Sequence, residues 1–137
     1  MNYWLVKSEP STYAWEQLLK EKKVTWDGVR NYAARNNLQA MKKGDLVLFY
    51  HSNEGLDIVG VTKVLKEHFP DPTIDDARWV AVELGPQKTL KKSITLETCK
   101  GDKILSEMTF VKIGRLSVSP VTPAQFDRVL ELSGTKL

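Results

Sequence analysis

Thr25-Trp26-Asp27-Gly28-Val29-Arg30-Asn31-Tyr32 brings an indole, a flexible glycine, a guanidinium and an amide together within eight residues. An exposed indole beside such groups is the chemistry that stacks an unpaired base and reads its polar edge. Most tryptophans are largely buried, so the same residues also admit a plainer arrangement, with Trp26 under a loop and Arg30 paired to Asp27. Tyr50-His51-Ser52 ends an apolar run. Side chains that leave the core at a strand end can line a pocket mouth, or can satisfy backbone groups of the turn. Lys7-Ser8-Glu9-Pro10 gathers a cation, a hydroxyl and a carboxylate before a rigid proline. Lys7 with Glu9 suits acid/base chemistry if burial lowers the lysine pKa, and is a surface ion pair otherwise.

Other chemistries lack their residues. A nucleophilic pairing of His51 with Ser8 or Ser52 has no Gly-x-Ser-x-Gly elbow and no evident acid to orient the histidine. Asp71, Asp75 and Asp76 lack the glycine and terminal glutamate of a calcium loop and read as solvated acids. The eight glycines are scattered, without Gly-x-Gly-x-x-Gly or Gly-Lys-Ser/Thr, which disfavours ATP and dinucleotide chemistry; no cofactor is expected. One cysteine, Cys99, and two histidines, His51 and His68, make neither a disulfide framework nor the usual zinc site. No metal is expected, and a reducing compartment, the cytoplasm, is the expected location. No apolar run approaches the roughly 18 residues of a membrane span, and the first residues lack a basic region followed by an apolar one. No membrane partner is expected.

The elements that must carry these residues follow from pattern. Tyr3–Val6 reads as a strand stopped by Glu9-Pro10. Ser11 or Thr12 is placed to cap a helix with Trp15, Leu18 and Leu19 inward, and a second helix is predicted over about Asn31–Leu38. Leu46–Tyr50 reads as a strand covered on both faces, followed across Asn53 and Gly55 by a strand from Ile58 to Leu65. Phe69–Thr73, with two prolines, is expected to be irregular, and Trp79–Leu84 to be a strand. Ser93 is placed to cap a helical turn through Cys99, and Leu116–Ser119 reads as a strand. Thr122, Pro123 and Gln125 start a final helix that ends at Gly134. Strands and helices do not alternate regularly, which argues for an α+β fold, a curved mixed sheet or small barrel with helices on it, in one domain spanning 1–137.

The 137 residues carry 20 lysines and arginines against 17 acids, a net charge of +3. Between Lys20 and Lys43 seven basic residues face two acidic ones, so this window holds +5 and the rest of the chain −2. Lys20, Lys22, Lys23, Arg35, Lys42 and Lys43 are therefore expected to contact phosphates, unless they only solvate a helix face.

Several blocks resemble the EVE domain family: Tyr3-Trp4-Leu5-Val6-Lys7-Ser8-Glu9-Pro10, WDGVRNYAARNNL (26–38), MKKGDLVLFYHS (41–52), IVGV from Ile58, PDPT from Pro70 and RLSVSPVTP (115–123). They occur in the family's order over nearly the whole chain and weaken between about 85 and 114. The resemblance implies a PUA-like fold, a strongly curved mixed β-sheet or pseudo-barrel flanked by short helices, related to YTH and ASCH domains. It also implies a pocket for a modified base of RNA or DNA, without an established catalytic mechanism. Carried over by position, the pocket residues are Trp26, Arg30, Asn31, Lys7, Ser8, Tyr50, His51 and Ser52, with Arg115 and Ser117 from the late block. The ASCH kinship and Lys7-Ser8-Glu9 keep a second reading open, a small hydrolase of a modified nucleoside. Ala33 stands where the family usually carries glutamine, and Ala14 where a capping serine is common.

Overall fold

A computed structural model describes residues 1–137. In chain order its elements are β1 (Tyr3–Ser8), α1 (Trp15–Glu21), β2 (Val24–Trp26), α2 (Tyr32–Ala40), β3 (Leu46–His51), β4 (Asp57–Pro70), β5 (Val80–Thr95), α3 (Leu96–Gly101), α4 (Thr109–Lys112), β6 (Val118–Val121) and α5 (Pro123–Ser133), with a 3-10 turn at Leu105–Glu107. The six strands form one mixed sheet in the order β2-β5-β4-β3-β1-β6; β1 and β3 run parallel and the other pairs antiparallel. This is the α+β architecture expected from the irregular order of elements.

Alternation along the central strands sends side chains to two cores. Trp4, Val6, Val47 and Phe49 face Trp15 and Leu18 of α1 and Ala34 and Leu38 of α2. Leu5, Leu46, Leu48 and Tyr50 face Cys99, Met108, Phe110, Phe126 and Val129 on the other side. The run Leu46–Tyr50 is apolar throughout because each of its faces meets a core.

The register of β4 against β5 shifts four times. Each shift marks a bulge or irregularity, a feature that bends and twists the strand carrying it. The bending has a visible result: β2 and β6 stand at opposite edges of the sheet, yet Val24–Trp26 of β2 and Ser117 next to β6 line one cavity. The sheet is thus curled without closing.

Local expectations held where the signal was local. Thr122 and Gln125 form a reciprocal capping box, Pro123 starts α5 and Gly134 ends it in the left-handed region. The cap of α1 differs: neither Ser11 nor Thr12 serves, the N-cap is Ala14, and its side chain offers no acceptor. His51 Nε2 of β3 accepts the Trp15 amide instead, at 3.1 Å. Thr95 rather than Ser93 caps α3. Phe69 and Pro70, expected to be irregular, prolong β4 by pairing with Ala81 and Val80, since a proline is tolerated where a strand ends.

Candidate nucleic-acid-binding site

A cavity of about 650 Å³ opens where β1 ends, lined by Lys7, Ser8, Glu9, Thr12, Tyr13, Ser117 and the run Val24–Arg30. Its size falls in the ordinary range of small-ligand sites. Trp26 is the large aromatic of this lining. It is half-buried, with its indole edge-on to Phe49 at 5.7 Å. The tryptophan is therefore anchored to the core by one part and open to the cavity by the rest. Both arrangements weighed from the sequence contribute: the indole packs on the core and still presents surface.

The rim beside Trp26 is built around Asp71, which is 2% exposed. Its carboxylate accepts from the amide of Gly28 and Nη1 of Arg30, each at 2.9 Å. It also accepts from the amide of Thr73 at 2.7 Å and from Oγ1 of Thr73 at 2.5 Å. Burial alone would push this carboxyl up; the hydrogen bonds from Thr73, Arg30 and Gly28 outweigh it and hold the group well below the usual carboxylate range. Asp71 is thus no solvated acid, a correction to the sequence reading. Arg30 likewise pairs with Asp71 and not with Asp27. Gly28 has φ +77, a backbone state a side chain would strain, which is why the turn after Trp26-Asp27 needs glycine.

The opposite wall comes from the end of β1. Lys7 Nζ donates to the carbonyl of Gly114 at 2.7 Å, and its amide donates to Ser117 O, tying the segment before β6 to β1. Burial lowers the lysine pKa. Ser8 Oγ donates to Tyr13 O at 2.6 Å, which leaves lone pairs but no free proton for a ligand. With Ser8 bound to a carbonyl and His51 Nε2 accepting from Trp15, no hydroxyl and histidine form a nucleophile–base contact.

The cavity thus unites Lys7, Ser8, Trp26, Arg30 and Ser117 of the expected set. It does not unite the rest. Asn31 lies outside the lining and caps α2, accepting the Ala34 amide at 3.0 Å. Tyr50 is buried on the other face of the sheet against Phe110, because it alternates with Phe49; burial pushes its pKa up to about 12. His51 caps α1, the Ser52 amide ties the end of β3 to Ser8 O, and Arg115 is exposed outside the lining. Thr12, Tyr13 and Asp27 were missed. The turn after Pro10 and the acid next to Trp26 were the available signals.

The basic residues divide similarly. Lys42 and Lys43 precede β3, whose start pairs with the start of β1, so they sit at the end of the sheet away from Lys7 and Ser8. Lys42 pairs with Glu67 at 4.0 Å, and the Lys43 amide donates to Glu67. These two lysines do not flank the cavity, a correction to the expected phosphate contacts. Lys20, Lys22 and Lys23 are exposed at the end of α1 and just before β2. Arg35 stands 4.9 Å over the ring of Tyr32, which stacks on Trp79 at 5.1 Å; Arg30 lies 5.8 Å from the same Trp79. A ladder of rings and guanidinium groups thus leads outward from the cavity along α2.

The EVE domain model matches residues 2–132. Mouse thymocyte nuclear protein 1 is 38% identical over 98% of this chain and 75% of its own length. A crystal structure of an Agrobacterium tumefaciens protein superposes with TM-score 0.95 at 42% identity, covering 98% of this chain and 94% of that one. Human THYN1 protein in complex with 5-methylcytosine containing DNA superposes with TM-score 0.92 at 32% identity, covering 100% of each chain. The YTH domain of Zygosaccharomyces rouxii MRB1 protein, 14% identical with TM-score 0.63, shares the fold. The chain belongs to the EVE domain family.

Proposed function

We propose that this protein is a binding module that takes a single modified base of a nucleic acid into the Trp26 cavity. The half-buried indole, fixed on Phe49 and open to a cavity with a pinned rim, is the observation that carries the reading. A base turned out of its stack must regain that cost inside the protein, and stacking on an aromatic returns about 1–3 kcal/mol. The human relative's complex with 5-methylcytosine containing DNA supports a 5-methylpyrimidine in DNA as the ligand; RNA is the second polymer to test. Of the expected phosphate contacts, Lys20, Lys22, Lys23 and Arg35 are retained. Arg35 has the best support, because its ladder starts at the cavity's own Arg30. Location in the cytoplasm is part of the proposal, beside the nuclear name of the curated relatives.

The test is fluorescence anisotropy with oligonucleotides that differ in one base, 5-methylcytosine against cytosine, in DNA and RNA. Trp26→Ala should weaken the modified oligonucleotide about 5- to 150-fold, the range that loss of stacking corresponds to. Binding unchanged by Trp26→Ala would refute the assignment.

A further inference from the structure

Ser8 and His51 stand opposite each other at the ends of β1 and β3. Both reach the same stretch of chain, Tyr13–Trp15: Ser8 Oγ donates to the carbonyl of Tyr13 at 2.6 Å, and His51 Nε2 accepts the amide of Trp15 at 3.1 Å. The Trp15 indole adds a third side-chain tie to the sheet, donating to Thr89 Oγ1 at 3.0 Å. Thr12 and Tyr13 form a wall of the cavity. The Tyr13 hydroxyl donates to Glu21 at the end of α1, so wall and helix are joined, and the three ties register them against the strands. A backbone amide can only donate, so the Nε2 that accepts from Trp15 is bare and the ring proton is on Nδ1. Only this tie is reversed by a proton at ordinary pH, because hydroxyls and indole do not titrate there and imidazole does.

We propose that His51 is a positioning residue for the cavity: neutral, it holds the Thr12–Tyr13 wall in place for the base, and protonated, it releases that wall. The inference rests on the base-binding reading of the cavity, whose lining His51 does not join. A proton on Nε2 sets donor against donor and frees the Trp15 amide. Apparent affinity then scales with the fraction of molecules whose wall is in place. The surroundings of the ring act in both directions. Asp57, at the start of β4, lies 4.0 Å from Nδ1 and favours the protonated ring, whereas the Trp15 amide of α1 opposes it. Phe49 meets the ring edge-on at 5.6 Å. Glu9 after β1, Glu16 on α1 and Glu54 in the turn after β3 are exposed, and the Lys7 ammonium and Tyr50 phenol lie beside Phe110.

Anisotropy of the full chain with the 5-methylcytosine oligonucleotide, repeated across the range in which imidazole titrates, tests this. Affinity should fall at least about fivefold from about pH 8 to about pH 5.5, the loss that a released buried amide corresponds to. His51→Gln offers an amide oxygen that reaches the Nε2 position and does not titrate; its affinity should change less than about twofold over the same range. In amide NMR spectra of the ligand-free protein, the Trp15 resonance should titrate over the pH range in which binding is lost. A profile as steep in His51→Gln as in the unmodified protein would overturn the proposal. So would an unmodified protein whose affinity is flat, or tightens towards acid as added charge alone would make it. If His51→Gln does not fold, the Trp15 amide decides, and a resonance that does not titrate overturns the proposal. Failure of the underlying reading looks different: Trp26→Ala would then leave binding unchanged at every pH while the Trp15 amide still titrates.

Discussion

Replacing Asp71 by alanine tests whether the cavity is shaped from beneath by one carboxylate. The substitution leaves the amides of Gly28 and Thr73 and the guanidinium of Arg30 without their acceptor. Losing the acceptor of a buried donor costs about 1–3 kcal/mol. The Arg30 side chain is 36% exposed and turns to water, so its share is small. A total near 3 kcal/mol follows for the two amides and the arginine together. A chain of 137 residues unfolds with an entropy of roughly 0.29 kcal/mol/K, so the melting temperature should fall by about 10 °C. Circular dichroism melts of Asp71→Ala and Arg30→Ala measure this, and the second should lose less than half as much. Binding of the modified oligonucleotide should fall in Asp71→Ala even well below its melting point, because the turn carrying Asp27 and Gly28 loses its anchor. A melt within 2 °C of the unmodified protein, taken as roughly the smallest resolvable shift, would refute the reasoning.

The same carboxylate sets an acid dependence whose sign is fixed. Its pKa is lower in the folded chain than in the unfolded one, where an aspartate titrates near 3.9. The stability it supplies is therefore complete above about pH 5 and is lost as the pH falls through 3.9 towards the folded value. Unmodified protein should lose stability over that window more steeply than Asp71→Ala, and equal slopes would contradict the assignment.

Two further changes probe how α1 is seated. A Cβ added at Gly60 would overlap the indole of Trp15, which lies across β4 and donates to Thr89 Oγ1 at 3.0 Å; Gly60→Ala should cost about 1–3 kcal/mol in a denaturant titration. Ala14→Ser supplies the missing cap, with Gln17 placed to complete a capping box, and should raise the melting temperature by about 3 °C for a gain near 1 kcal/mol.

What could be read from the chain divides by the distance over which its cause acts. Thr122, Pro123, Gln125 and Gly134 define α5 within thirteen residues, and the structure agrees at both ends. The start of α1 depends on His51, a residue of another strand, so the neighbouring hydroxyls of Ser11 and Thr12 do not mark it. Three-residue β2 exists through pairing with Val82–Leu84 and carries no periodicity of its own. Asp71 looks like a turn acid because its Gly28 and Arg30 partners lie over 40 positions upstream. Tyr50, expected in the pocket, shows the opposite case: with Phe49 committed to one face, alternation along the strand already sends Tyr50 to the other, where it packs on Phe110.

Charge sorts itself by place as well as by sum. The cavity lining holds two cations, Lys7 and Arg30, and three acids nearby, Glu9 and Asp27 in the lining and Asp71 beneath it. Arg30 is neutralised by Asp71, whereas Lys7 donates to a neutral carbonyl and keeps its charge, which Glu9 and Asp27 of the same lining offset. The excess of the Lys20–Lys43 window is carried instead by the exposed side chains of Lys20, Lys22 and Lys23 and the half-buried Arg35, while Lys42 and Lys43 sit at the far end of the sheet. The proposed binding mode therefore predicts few phosphate contacts, so that affinity for an oligonucleotide should vary with salt much less than that of a protein that coats nucleic acid. On the proposed reading, discrimination then has to arise inside the cavity, where the Trp26 indole, fixed on Phe49, offers a stacking surface common to every base and the polar groups of the lining must supply the difference.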